Sequence, residues 1–149
     1  MKQALAIQQE IGSKTSEGTT LGNIGNIHYL RGDSETALTY MKQALTIQQE
    51  IGNKASEGTT LNNMSQIFKR YGDYEIALSY VKQALVIQQQ IGDKSGEGTT
   101  LNNIGNIYHA KGDYKTALSC LGSSLDIRRQ IGDKAGEGTT LNNISQIFK

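Results

Sequence analysis

The chain has 149 residues and carries 15 Lys and Arg against 14 Asp and Glu, a formal net charge of +1. This balance creates no strong electrostatic field that would attract nucleic acid or an anionic membrane. Apolar runs span only a few residues, so no segment predicts a membrane-spanning helix. The single cysteine excludes a disulfide within the chain. We therefore predict a cytoplasmic domain without a nucleic-acid or membrane partner.

One sequence pattern recurs along the whole chain with a spacing of 40 residues. The string EGTTLNN occurs three times, preceded at the same spacing by its variant EGTTLGN, at residues 17–23, 57–63, 97–103 and 137–143. Most glycines follow the same rule and recur once per unit in three columns. A fixed period of this length is typical of repeat proteins in which each repeat is one supersecondary unit.

Glycine followed by a capping residue divides each unit into two helices. Gly12 is followed by Ser13 and Gly52 by Asn53, and a second column pairs glycine with aspartate. Glycine ends a helix in the left-handed conformation, and Ser, Asn or Asp caps the next helix. These signals predict helices over 14–31, 34–51, 54–71, 74–91, 94–111 and 114–131, with half-units near 1–11 and 134–149. The predicted domain is a single array composed of a half repeat over 1–12, repeats over 13–52, 53–92 and 93–132, and a half repeat over 133–149.

An apolar stripe along each predicted helix indicates how the units pack. Leu101, Ile104, Gly105 and Tyr108 follow the spacing i, i+3, i+4, i+7, which places them on one helix face. A small residue such as Gly105 lets paired helices approach closely. One helical hairpin cannot bury such a stripe alone, so neighbouring hairpins must stack. The predicted fold class is therefore all-α, an α-solenoid of antiparallel helix hairpins.

The same positions resemble the tetratricopeptide repeat (TPR) family. The family pattern on the first helix is present as Leu101-x-x-Ile104-Gly105-x-x-Tyr108, and Ala117 follows on the second helix. The period of 40 residues, longer than the usual period of about 34, is similar to that of LGN/Pins-type repeats and bacterial TPR arrays. The resemblance implies a right-handed superhelix that acts as a non-enzymatic scaffold and binds a protein or peptide ligand.

The helix face opposite the apolar stripe supplies the candidate binding residues. In TPR solenoids this face lines a concave groove, which the resemblance places here at Asn23, Asn26, Asn62, Asn63, Gln66, Lys69, Arg70, Asn102, Asn103, Asn106, His109 and Asn143. A carboxamide both donates and accepts hydrogen bonds, so it can satisfy the backbone N–H and C=O of a peptide. In LGN/Pins-like repeats, asparagines at matching positions hold the main chain of the target, a role that the resemblance transfers to Asn63, Asn103 and Asn143.

Two alternatives stay open for these side chains. The asparagines are solvated, or they hydrogen-bond between adjacent helices and fix the stacking of the repeats. Lys69 and Arg70 either pair with an acidic ligand or are solvated surface charges.

The sequence does not indicate catalytic chemistry. His28 occupies an aromatic core position that Phe68 and Tyr108 fill in later repeats, so we expect a packed histidine. No cluster with metal-ligand spacing accompanies His109. Cys120 aligns with a column of tyrosines, which predicts a partly buried thiol that is not activated. We predict that the protein is not an enzyme and needs no metal or cofactor.

The two half repeats offer a structural alternative to ligand binding. Their frame resembles a slice of a longer array, and their apolar faces are complementary halves of one repeat. We expect homo-oligomers, formed by head-to-tail packing, closed dimerisation or exchange of hairpins, through Leu5, Ile7, Leu141, Ile144 and Phe148. The alternative is a monomer with frayed ends.

Overall fold

A computed structural model describes residues 2–149, and all regular secondary structure in this range is α-helical. The seven helices in these residues are α1 (Lys2–Leu30), α2 (Ser34–Glu50), α3 (Lys54–Tyr71), α4 (Tyr74–Ile91), α5 (Lys94–Lys111), α6 (Tyr114–Gln130) and α7 (Lys134–Ile147). From α2 onward, these bounds agree with the predicted helices to within one or two residues. The predicted all-α fold class is confirmed.

A left-handed glycine forms each turn between helices, and a side-chain cap follows it at every turn except the one before α4, where Asp73 makes no cap hydrogen bond. Gly112 has a φ of +88°, a conformation that a β-carbon disfavours. The N–H of the next residue, Asp113, donates to the carbonyl oxygen of Tyr108 over 2.9 Å. Oδ1 of Asp113 accepts from the N–H of Thr116 over 3.1 Å, and hydrogen bonding by Thr116 holds the pKa of the Asp113 carboxyl below its ordinary value. The same left-handed glycine occurs at all six turns, at Gly32, Gly52, Gly72, Gly92, Gly112 and Gly132.

The predicted helix end at Gly12 is wrong. α1 runs without a break from Lys2 to Leu30, and Gly12 does not adopt a positive φ. At the six turns that form, the chain folds back onto a neighbouring helix, and this packing stabilises the turn. Residues 2–13 are exposed along their whole length, so no such packing acts at Gly12. Without it, continuing the backbone hydrogen bonds of one helix is favoured, and Ser13 lies inside α1 instead of capping a new helix.

The helices form two layers. We call residues 14–30 of α1 together with α3, α5 and α7 the A helices, and α2, α4 and α6 the B helices. Each B helix packs between the A helix before it and the A helix after it. Consecutive A helices also contact one another, whereas consecutive B helices do not within the described chain. The A helices are therefore the more closely stacked layer, which places them on the concave side of the array.

Small residues on the A helices let the B helices approach closely. A β-carbon added to Gly105 on α5 would lie 2.6 Å from Cγ of Leu121 on α6, and Gly25 has a similarly close neighbour on α2. The repeat between them carries Ser65 on α3 and the smaller Val81 on α4, and both are fully buried. A larger residue on the A helix is therefore paired with a smaller residue on the B helix, so the two positions compensate for each other in volume.

We expect the Gly105→Ser substitution to lower the free energy of unfolding by about 1–3 kcal/mol, the usual cost of overpacking a core. Leu121→Val removes the δ carbons, including Cδ2 at 2.8 Å from the β-carbon position, and reproduces the pairing of Ser65 with Val81. The double variant should therefore lose less stability than the sum of the single variants. Chemical denaturation of all four proteins measures this coupling, and strictly additive losses would contradict the compensation.

Candidate functional site

Carboxamide side chains form a row of hydrogen bonds across the A helices. Nδ2 of Asn103 donates to Oδ1 of Asn62 over 2.9 Å, and Nδ2 of Asn143 donates to Oδ1 of Asn102 over 3.0 Å. We call these two pairs the carboxamide ladder. The hydroxyl of Thr140 is a second donor to Oδ1 of Asn102, over 3.3 Å. Asn62 and Asn102 are buried. The ladder is the hydrogen bonding between adjacent helices that the sequence left open as an alternative to ligand binding.

The ladder has no rung between α1 and α3. Its rungs join residues 41 positions apart, so the partner of Asn63 would be residue 22, which is glycine. A β-carbon on Gly22 would meet no atom within 4 Å. Asn63 is half-buried, and its side chain makes no hydrogen bond to any described residue. Its carboxamide therefore keeps both a donor and an acceptor available.

Two adjoining cavities open beside Asn63, and we call them together the α1–α3 groove. The first has a volume of about 260 Å³, and its lining includes Gly22, Asn23, Asn26 and Asn63. The second, of about 270 Å³, is lined by Asn26, Tyr29, Leu30, Asn63 and Gln66. Asn26 and Asn63 border both cavities, so the groove combines a polar floor with a recess beside Tyr29 and Leu30.

The two cations predicted near this groove have different surroundings. The guanidinium of Arg70 lies 3.8 Å from the ring centroid of Tyr29, and its Nη1 donates to the carbonyl oxygen of Tyr29 over 3.0 Å. Arg70 therefore ties the end of α3 to the end of α1. Lys69 forms no ion pair within residues 2–149, and burial lowers the pKa of its ammonium group.

The remaining predicted groove residues on α5 lie further along the array. Asn106 and His109 are both half-buried, and the ring of His109 lies 5.5 Å from the ring of Tyr114. The structure thus separates the predicted groove residues into two sets. The four asparagines of the carboxamide ladder are paired across the A helices, whereas Asn26 and Asn63 in the groove, and Asn106 on α5, make no side-chain hydrogen bond to a described residue.

The residues that could have carried other chemistry serve in packing. The ring of His28 stacks on Tyr40 with a centroid distance of 5.6 Å, which confirms the predicted packed histidine. Cys120 is half-buried, and burial raises the pKa of its thiol, the opposite of an activated nucleophile. Among the residues that the structure describes, no group of three or more His, Cys, Asp or Glu could hold a metal ion.

Apolar side chains are exposed at both ends of the array. Leu5 and Ile7 are exposed on α1, as are Leu141 on α7 and Phe148 just after it, while Ile144 is half-buried. These five residues are the ones that the sequence predicted for self-association.

No helix in the described part of the chain combines the length and the apolar character needed to cross a membrane.

The fold and repeat pattern identify the class of protein. The sequence matches the tetratricopeptide repeat family over residues 1–50, 16–90 and 96–149. The chain belongs to this family, as the sequence pattern predicted. Proteins of this family generally mediate protein–protein interaction.

Solved structures share the fold at low sequence identity. The N-terminal domain of stress-induced protein-1 from C. elegans is 16% identical, with a TM-score of 0.70 over 91% of this chain and 98% of that chain. A Rap protein complexed with Competence and Sporulation Factor is 17% identical, with a TM-score of 0.82 over 93% of this chain and 38% of that chain. BtubC from P. vanneervenii is 26% identical, with a TM-score of 0.73 over 88% of this chain and 55% of that chain. No curated protein matches the sequence.

Asn102→Ala should lower the free energy of unfolding by roughly 1–3 kcal/mol, because the donors on Asn143 and Thr140 lose their acceptor. Asn142→Ala is the matched control, since Asn142 holds the same position one repeat later but is exposed. We expect this control to stay within about 0.5 kcal/mol of the wild type. Urea denaturation compares the two variants, and equal effects would show that the ladder does not stabilise the stack.

Proposed function

We propose that the protein is a non-enzymatic cytoplasmic scaffold that binds an extended segment of a partner protein in the α1–α3 groove. The observation that carries this proposal is the unpaired carboxamide of Asn63 beside the open floor at Gly22. Further along the array, the ladder uses the equivalent carboxamides of Asn103 and Asn143. In the groove, a bound segment would use the hydrogen-bonding capacity of Asn63 in place of solvent.

The groove suits the main chain of a peptide. Asn26, Asn63 and Gln66 each present one donor group and one acceptor group. A peptide that displaces water needs both kinds of partner for its own N–H and C=O groups, because an unpaired backbone group is costly to bury. The recess beside Tyr29 and Leu30 fits an apolar side chain. Main-chain pairing would thus supply affinity, and the recess would select the side chain.

Lys69 favours an acidic residue in the bound segment. It follows Gln66 by three residues on α3, so both side chains lie on one helix face. Its partly buried ammonium group has no carboxylate among the described residues. A carboxylate on the ligand would offset the desolvation of this cation through a charge-assisted hydrogen bond.

The Rap structure supports the proposal, because a protein of the same fold is complexed there with Competence and Sporulation Factor. At 17% identity this likeness does not transfer individual contacts. The proposed position of the ligand therefore rests on the groove of this chain.

We expect Gly22→Asn to close the groove and weaken ligand binding by about tenfold or more. The new carboxamide would lie 41 residues before Asn63, the separation found in both rungs of the ladder. Losing one ligand hydrogen bond of about 0.5–1.5 kcal/mol, together with the space that the new side chain fills, accounts for the tenfold effect. The probe is a peptide selected from a displayed random library against the wild-type chain, and isothermal titration calorimetry measures its affinity.

The control is Gly122→Asn, the same substitution in the interior of α6 at a glycine that also borders open space. It changes the helix propensity equally but lies outside the groove, so the selected peptide should bind it as tightly as the wild type. The proposal would be overturned if no peptide is enriched. Equal affinity for the Gly22→Asn variant and the wild type would also overturn it.

Self-assembly through the two end faces is a second candidate function. The observation that favours it is Gly138 on α7, which is exposed although its equivalents Gly18, Gly58 and Gly98 are buried. A surface that is covered in three repeats is therefore open in the fourth. An assembly formed through this surface would present several copies of the groove at once.

A further inference from the structure

The first three turns of α1 repeat a sequence that is buried elsewhere in the chain. Residues 2–12 read KQALAIQQEIG, and residues 42–52 differ from them only at Thr46. Ala44, the equivalent of Ala4, has no exposed surface. In α1, by contrast, the whole segment is exposed. It carries the side chains of a packed surface without a neighbour in the described chain.

Within the chain, this sequence packs on a glycine column of the A helices. Cγ2 of Ile47 lies 3.4 Å from the position that a β-carbon would take on Gly18. Cγ2 of Ile87 lies 3.6 Å from the same position on Gly58, and α6 repeats the contact on α5. The counterpart of these isoleucines in α1 is Ile7, which is 56% exposed.

α7 presents the same A-helix surface uncovered. A β-carbon on Gly138 would meet no atom within 4 Å. Leu141 is 43% exposed, whereas its counterpart Leu61 is 2% exposed and packs in one cluster with Ala84 and Ile87. Packing equivalent to that on Leu61 would therefore cover α7 with a helix that has alanine and isoleucine at these two positions.

We propose that residues 2–11 of one copy pack on α7 of a second copy, in the register by which the end of α4 packs on α3. Ile7 then lies over Gly138, and Ala4 and Ile7 cover Leu141. The occupant is a second copy of this chain, because the chain itself contains both surfaces and pairs the same two sequences within its own repeats. This inference rests on the second proposed function, self-assembly, and specifies its contact.

The contact is heterologous, since it joins two different surfaces. Each copy carries one of each surface and can therefore join two neighbours. It involves only the half of a B helix that packs near the start of an A helix. The contact is therefore smaller than one between complete repeats, and we expect association through it to rise with protein concentration.

Light scattering on a size-exclusion column, over a hundredfold range of concentration, measures whether the chain associates. We expect the mass of the wild type to rise with concentration. Ile7→Glu and Leu141→Glu should each keep the mass at that of one chain, because each places a charge in the contact. Both positions are exposed in the single chain, and circular dichroism verifies that the variants stay helical.

A disulfide between copies measures the register. A β-carbon on Gly18 would lie 3.8 Å from Cβ of Ile47. The mean distance between the two β-carbons of a disulfide is also about 3.8 Å. In a Cys120→Ser background, the Ile7→Cys variant mixed with the Gly138→Cys variant should therefore form a covalent dimer under oxidation. Intact mass spectrometry should show at least about tenfold more of this dimer than a mixture of Ile7→Cys with Gly122→Cys.

Each outcome separates the contact from self-assembly. A mass that stays at one chain at every concentration would overturn both proposals. A rising mass with equal cross-linking in the two mixtures would leave self-assembly standing and overturn the register. A rising mass with selective cross-linking of Ile7→Cys to Gly138→Cys supports both.

Discussion

Close packing of each A helix against the B helix that follows it is the contact on which the rest of the structure depends. It requires glycine or serine on the A helix, as at Gly105 and Ser65, because any larger side chain would separate the pair. The hairpins so formed then bury the apolar stripes between neighbours, so the stability of the array is approximately a sum over repeats and their interfaces. The same contact sets the spacing of the A helices on the concave side. That spacing decides which polar side chains meet across the layer and which stay open.

The fold could be predicted largely from local signals in the sequence. The signal of a left-handed glycine followed by Asn or Asp marks the turn before each of α2 to α7, although Asp73 makes no cap hydrogen bond at the start of α4. Gly12 shows its limit, because Gly12 and Ser13 carry a similar signal and yet lie inside α1. A turn needs the packing of the helices that it joins as well as a permissive backbone. That contribution is tertiary, so it cannot be predicted from the two residues alone.

The site could be predicted only in part. Helix periodicity was sufficient to place the asparagines on one face, but it could not decide between a ligand and a neighbouring carboxamide as their partner. That choice depends on the distance between A helices. In the structure, Nδ2 of Asn103 lies 2.9 Å from Oδ1 of Asn62. The change from EGTTLNN to EGTTLGN is visible in the sequence. Gly22 became informative once the structure showed that rungs join residues 41 apart, because only then could the missing partner of Asn63 be identified.

The carboxamide ladder also has a polarity. In both rungs the N–H donor belongs to the later repeat and the oxygen acceptor to the earlier one. The row therefore ends on an N–H group at Asn63 and on a side-chain oxygen at Asn142, which is exposed on α7. Each of these two carboxamides also carries the other group, so the polarity belongs to the rungs and not to the end residues. Extending the row by one rung would therefore require an acceptor on the earlier side and a donor on the later side, so the two ends of the ladder are not interchangeable.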